Sequence, residues 1–483
     1  MPPAPLPEAT PERPLDSDRD REYDRDRHGR RAVWITFGIT LSIAAIVYVE
    51  KAQEDRSAII RWLYQVRELQ EGTNIWENYI FPNPPIFPLS LYPLTYLPET
   101  GAAVAWYVLK IALTVLAILM CFRIAREPDE RRPLLSWVQG LILLLSFRPI
   151  LSDLHHANNN LVILFLIVAT LYAWRKGYDV LAGLLLALAI TYKVTPALFV
   201  PYFMYKRSWR TVGATFLGIG IFLLAVPSLI LGPEFNGKCL YYWWFRMIRP
   251  YVADGIIGDP EINQSMAGVL MRLLTFQPPR ESRYAPASGL NLLSLDPKMM
   301  VTTIKALSVA LVLLLAYFCR TRTGGRRTDP RMLGEFSLIV LTMLFVSERS
   351  WKHHYVTLLL PYTYLVLQLQ RHWPSKPKRW ILGTGLGASA LLMLSTSSEV
   401  GGIFAGGDGH KLAQYYGMFF WAGVVLYGLT AWRVVVEGRA EPTKHAAQAK
   451  ALGHELPPPH LGRKGIVSRE PPQEDLGRIQ GGS

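Results

Sequence analysis

Four polar groupings interrupt the apolar blocks of this chain, and each carries side chains suited to a sugar or a phosphate. The first is acidic: Glu50, Glu54 and Asp55, followed by an amphipathic stretch over 59–70. Taking a proton from an acceptor hydroxyl needs one positioned carboxylate within hydrogen-bond reach. Asp55 is the first choice for that role, with Asp153 and Glu348 as alternatives, against the plainer reading of a solvated loop charge. The second grouping, Asp153-Leu154-His155-His156-Ala157-Asn158-Asn159-Asn160, offers imidazole and amide groups that hydrogen-bond sugars. Its histidines, with His353 and His354, also raise the question of a metal. Neighbours on a helix point about 100° apart, so no metal is expected. The third is a set of cations outside the main basic loops: Arg148, Lys193, Arg246, Arg249, Arg272, Arg349 and Lys352. A departing phosphate keeps its charge and guanidinium groups bind it bidentately, although long cationic side chains also snorkel to lipid headgroups. The fourth, Tyr241-Tyr242-Trp243-Trp244-Phe245, suits stacking on a sugar ring, guiding an isoprenoid chain, or an interfacial aromatic belt.

These groups are set in a chain of 483 residues, half of them hydrophobic, whose apolar positions gather into repeated blocks rather than scattering at globular periods. Tryptophan and tyrosine sit at the block ends, where amphipathic rings meet lipid headgroups. The formal charge of +14 lies mostly in short loops and tails, the pattern of membrane orientation. No stacking or zinc module accompanies it, so no nucleic-acid partner is expected. The three cysteines, Cys121, Cys239 and Cys319, form no ligand-spaced pair and predict neither a disulfide framework nor a zinc site.

Residues 1–31 and 437–483 are rich in proline and charge and read as disordered cytoplasmic tails. Between them, 32–436 forms one transmembrane domain. Its first apolar block, 33–49, follows Arg25, Arg27, Arg30 and Arg31 without a cleavage site and reads as an uncleaved signal anchor. Eleven further blocks bring the expectation to about twelve spans, several shorter than the roughly 20 residues of a straight crossing. Arginine and lysine gather in alternate loops near 123–132, 175–176, 206–210, 320–331 and 371–379, which places those loops and both termini in the cytoplasm. Outer loops are then expected over 50–100 and 232–299, with a third outer stretch over 347–354. Lys193 and Pro196 break the apolar run 180–205 into two short helices or a re-entrant segment. Irregular backbone at membrane depth is tolerated where protein or a water-filled cavity surrounds it, so a polar cavity is expected beside Lys193.

Three segments resemble glycosyltransferase family 87. The first is Gly72-Thr73-Asn74-Ile75-Trp76 with Phe81-Pro82-Asn83-Pro84-Pro85, Tyr92-Pro93-Leu94 and Leu97-Pro98. The second is Asn160, Ala182-Gly183, Lys193 and Pro196. The third is Asn263-Gln264-Ser265, Arg272 and Ser350-Trp351-Lys352-His353-His354. The resemblance, from about 59 to 369, implies an all-α polytopic fold of the lipid-linked-sugar (GT-C-like) transferase type in the plasma (inner) membrane. It also implies transfer of a hexose, mannose first, from a polyprenyl-phosphate donor to a lipid or glycan acceptor. An inverting displacement without a cofactor, with a first-loop Asp as base, follows from the same resemblance. Membrane lipids are the surrounding partners. The matched positions Asn160, Lys193, Asn263, Ser265, Arg272, Trp351, His353 and His354 are those expected to bind substrate. In two places the chain departs from the family pattern: the base position falls on Ala58, one turn from Asp55, and the family Gly-Gln pair is Ala157-Asn158. A lipid-linked-sugar transporter or flippase, and a catalytically inactive sugar-lipid binder, are the alternative readings.

Overall fold

The computed structural model describes residues 17–54, 57–126, 133–253, 255–256, 262–276, 291–321, 327–405 and 408–451. Asp55, the first-choice base, lies outside the described residues. Among them the architecture is helical, with one isolated bridge, Thr275 to Leu295, and no named strand. Six helices are long and apolar enough to cross a membrane: Asp26–Gln53, Glu99–Ala125, Ser136–His156, Trp209–Leu231, Pro297–Phe318 and Met418–Glu437. Large apolar side chains remain exposed along them, Ile43, Val108, Leu144, Leu217 and Leu313 among others, the pattern of surfaces that face lipid rather than water. The other predicted blocks form shorter or less apolar helices: Asn160–Arg175, Asp179–Tyr192, Phe199–Tyr205, Arg331–Val346, Leu359–Arg371 and Lys376–Leu394. Several of these are the most deeply buried, so a short apolar block here is a helix surrounded by other helices.

Contacts between distant loops define two ends within residues 26–437. At one, Arg327 pairs with Asp179 and donates to Trp174 O at 2.9 Å, while Arg175 donates to Thr328 O at 2.9 Å. Lys206 there donates to Cys319 O and Thr321 O, each at 2.7 Å, and pairs with Glu335 at 2.7 Å. Loops that the charge pattern assigns to a common side therefore meet. Polar residues 153–160, 193, 263–265 and 347–354 meet at the other end. The 180–205 segment leaves the basic end and returns to it. The Asp179–Tyr192 helix stops at Lys193, whose backbone is extended (φ −157°, ψ 126°), and a 3-10 turn at Thr195–Leu198 leads the chain back.

Close helix packing explains the Ala182-Gly183 pair. A Cβ on Gly183 would lie 2.5 Å from Thr211 O, and one on Gly218 would lie 2.6 Å from the Ala187 Cβ. Small residues let these two backbones approach, the usual device where no solvent drives helices together. The first-loop helix, Ala58–Gln70, starts one residue before the predicted stretch. Ser57 caps it by accepting from Ile60 N, and Ile59, Leu63 and Val66 are buried beneath it. The Pro-rich segment after it caps the Lys193 break: Asn83 Nδ2 donates to Tyr192 O at 2.6 Å, and Trp76 Nε1 donates to Asn83 O at 2.9 Å. Residues 438–483 form a separate unit, described only for the helical continuation to Ala451.

Candidate functional site

The floor of the polar end is a buried chain of ionic groups. Lys110, inside the 99–125 helix, pairs with Asp153 Oδ1 at 2.7 Å and donates to Asp153 O at 2.9 Å, both side chains being fully buried. Asp153 Oδ2 accepts from Asn160 N at 3.2 Å and from Asn160 Nδ2 at 3.0 Å. Asn160 Oδ1 in turn accepts from Lys193 Nζ at 2.7 Å. One carboxylate thus pairs directly with Lys110 and reaches Lys193 through the Asn160 amide. Asp153, an alternative base in the sequence reading, is placed here as a counter-ion. The turn that brings Asn160 back over Asp153 has Ala157 at φ 54°, a left-handed conformation that glycine adopts without a Cβ clash. This is the position where the resemblance implies a glycine.

The roof is the segment 347–354, held from below by residues the sequence assigned to substrate. Asn263 Oδ1 accepts from Ser265 N at 3.0 Å and Ser350 N at 2.9 Å, while its Nδ2 donates to Glu348 O at 2.7 Å. Ser265 caps the Met266–Leu274 helix by accepting from Gly268 N, and a Cβ on Gly268 would strike the Asn263 side chain at 2.5 Å. Arg272 is buried and donates to Asn263 O and Tyr415 O, both at 2.7 Å. Asn263, Ser265 and Arg272 thus each bond backbone groups in or beneath the roof. Asn263→Ala removes three hydrogen bonds and strands two buried amides, each worth about 1–3 kcal/mol when unsatisfied. Its melting temperature should fall, and the segment 347–354 should lose hydrogen-exchange protection before the remainder of the helices.

Between floor and roof lies a cavity of about 20 Å³, lined by Asn160, Lys193, Thr195, Ser347, Ser350 and His354 among others. That is room for about one water. Beside it, the His353 ring contacts Asn158 Nδ2 at 3.0 Å and lies 5.1 Å from the His156 ring and 5.3 Å from Trp351. Trp351 Nε1 and His353 Nδ1 are buried without a hydrogen-bond partner, two polar atoms that a ligand hydroxyl would satisfy. His354 Nδ1 accepts from Trp351 N at 3.3 Å.

Burial, reinforced by neighbouring positive charge, holds the pKa of His353 and His354 well below the usual imidazole range. Both stay neutral in the fold, whereas unfolded histidine binds a proton below about pH 6.5. The unfolded state then carries more protons, so stability is complete above about pH 6.5 and is lost as pH falls, by up to about 1.4 kcal/mol per unit for each ring. A thermal-shift series from pH 8 to 5 should show this slope, and His353→Gln should lessen it while His354 keeps its share.

The other sequence candidates fall in several places. Glu348 is partly buried, with its carboxyl raised by burial against an opposing effect of Lys305. Arg246 donates to Trp76 O at 3.0 Å and to Glu77 O, and Trp243 Nε1 donates to Pro82 O at 3.0 Å, so part of the aromatic run packs on the first loop. Arg249 lies over the Phe245 ring, and Arg349 donates to Tyr251 Oη at 3.0 Å. Arg148 and Lys352 line a different groove. Among the described residues no group of three or more His, Cys, Asp and Glu side chains is arranged to hold a metal. Lys110 was missed, although a lone lysine inside an apolar block is itself a signal, since intramembrane ions occur in pairs.

An all-helical, multi-pass membrane protein whose amide, imidazole and ammonium groups gather at one end of its helices fits the class of membrane glycosyltransferases. The chain belongs to glycosyltransferase family 87, whose model matches residues 81–348. It is 26% identical over 58% of its length to the polyprenol-phosphate-mannose-dependent alpha-(1-2)-phosphatidylinositol mannoside mannosyltransferase of Mycolicibacterium smegmatis, and 25% identical over 59% to the same-named protein of Mycobacterium tuberculosis. It is 24% identical over 65% to a polyprenol-phosphate-mannose-dependent alpha-(1-2)-phosphatidylinositol pentamannoside mannosyltransferase of M. smegmatis. The matches span 60%, 62% and 66% of the lengths of these three relatives. No solved structure matches the chain.

Proposed function

We propose that the chain transfers a mannosyl residue from a polyprenyl-phosphate donor to a lipid-linked acceptor at the outer face of the plasma membrane. The observation that carries this reading is the small cavity, about 20 Å³, at which Asn160, Lys193 and His354 come together, within a chain of family 87. In this account the single-domain path over 32–436 crosses about twelve times, the shorter helices completing it among the long ones, with both tails cytoplasmic. The acceptor hydroxyl oxygen forms a bond to the sugar C1 as the C1–O bond to phosphate breaks. The electron pair leaves with polyprenyl phosphate, the hydroxyl proton passes to Asp55, and the anomeric centre inverts. Lys193, fixed by Asn160, places positive charge beside the sugar and its leaving group. Trp351 and His353 supply polar atoms to sugar hydroxyls.

Purified protein in lipid nanodiscs, given polyprenyl-phosphate-mannose, its glucose counterpart or a nucleotide-linked mannose with a phosphatidylinositol-mannoside acceptor, should label the acceptor from the first donor only. Labelling from the nucleotide sugar alone would overturn the donor class. Movement of intact labelled donor across a vesicle membrane, without product, would favour the flippase.

A further inference from the structure

We propose that a second, membrane-facing groove lined by Arg148, Ser152, His156 and Lys352, with Thr40 and Ala44 opposite, holds the phosphate of the isoprenoid lipid. This rests on the donor class proposed above and goes on to place that donor's phosphate. The groove encloses about 330 Å³, within the usual range of ligand pockets. One wall belongs to the Asp26–Gln53 helix, where Ile43 and Val47 are 59% and 48% exposed. That wall is apolar and continues on to the lipid-facing surface of the helix. The facing wall is cationic. Arg148 donates one Nη to Thr396 O at 3.0 Å, but its Nε is buried without a partner, as is Ser152 Oγ. Lys51 lies near the mouth, donating to His155 O at 3.2 Å. Among the described residues no carboxylate lines the groove, and Glu399 is the acid whose charge reaches Arg148. Burial, with Arg148 and Lys51 as further causes, pushes the Lys352 ammonium down to about 8, the mark of positive charge that an anion would relieve.

Position decides between lipid phosphates. The His156 ring, which lines the groove, lies 5.1 Å from the His353 ring, and the next residue, His354, lines the sugar chamber, so the two cavities are neighbours. A phosphate in the groove sits beside the sugar, and it gains a full negative charge as the C1–O bond breaks. Three cations favour that gain. The phosphodiester of a phosphatidylinositol acceptor keeps a single charge throughout and draws less benefit from them.

The test uses the full chain in nanodiscs and measures binding of sugar-free polyprenyl phosphate by native mass spectrometry, with inorganic phosphate and phosphatidylinositol as competitors. Arg148→Gln and Lys352→Gln should each weaken binding about 10-fold or more, as loss of a charge-assisted hydrogen bond does, and the double variant further. Ala44→Trp, on the apolar wall, should weaken polyprenyl phosphate without changing competition by inorganic phosphate. Arg148→Lys and Lys352→Arg, which keep the charge, should retain most of the affinity even if the glutamine variants fold poorly. Unchanged affinity in a double glutamine variant with wild-type melting overturns the site. So does phosphatidylinositol competing as well as polyprenyl phosphate. Transfer activity with unchanged lipid binding in the variants would reject the groove and keep the function. Lipid binding lost in the variants of a protein that transfers nothing would keep the groove and reject the function.

Discussion

Asp55→Asn is expected to lower mannosyl transfer about 10²–10⁴-fold, the usual contribution of a positioned general base. An amide of the same size keeps the loop's shape and loses only the capacity to take a proton. The binding constant for polyprenyl phosphate should stay unchanged, because the base acts on the acceptor and not on the leaving group. Single-turnover kinetics with preloaded donor separates the two effects. The competing carboxylates predict other outcomes. Asp153 is committed to Lys110 and Asn160, so its replacement should damage folding. Glu348→Gln should leave turnover within a few-fold, roughly the scale of a change that alters no positioned base. If Glu348 were the base, its burial-raised carboxyl would move the acid limb of the pH-rate profile upward, and Asp55→Asn would leave that limb unmoved.

Lys110→Met is expected to be the most destabilising single change in the helices. Both members of the Lys110–Asp153 pair are fully buried at 2.7 Å. Removing one leaves the other as an uncompensated charge, a loss of about 3–5 kcal/mol. Asn160 would then hold a carboxylate with no direct cation, and Lys193 would be its nearest relief through the amide. The double variant Lys110→Met with Asp153→Asn removes both charges and should recover most of the loss, while a Lys110→Arg change keeps the charge and should cost less than methionine. Thermal unfolding followed by size-exclusion fluorescence reads all three. Full recovery by the double variant without recovery of transfer would mean that the charges serve the site as well as the fold.

The sequence made some of this legible for definite physical reasons. Arginine and lysine collect on one side of a membrane, so the alternation of basic loops foretold which loops meet, as Arg175, Lys206 and Arg327 do. Amphipathic spacing revealed the first-loop helix to within one residue. Lys193 and Pro196 announced a break because neither continues an apolar helix, and the polar cavity beside Lys193 was inferred from the same break. Other features had no sequence mark. Asn263 holds the backbone of Ser350 and Glu348 across more than eighty residues, and a side chain that bonds distant backbone looks the same in sequence as one that bonds a sugar. Arg272 is the same case: its Nε and one Nη donate to the carbonyl oxygens of Tyr415 and Asn263, which no spacing in the sequence announces. The groove of Arg148 and Lys352 joins residues two hundred positions apart, and only packing selects those two from seven candidate cations.

Transfer in sealed vesicles of known orientation tests the central claim most directly. With radiolabelled polyprenyl-phosphate-mannose in the bilayer and a water-soluble acceptor analogue confined to one side, label should enter the analogue only from the side exposing the first loop and residues 347–354. Labelling from the side that exposes the basic loops, or none from either side with folded protein and intact donor, would contradict the account.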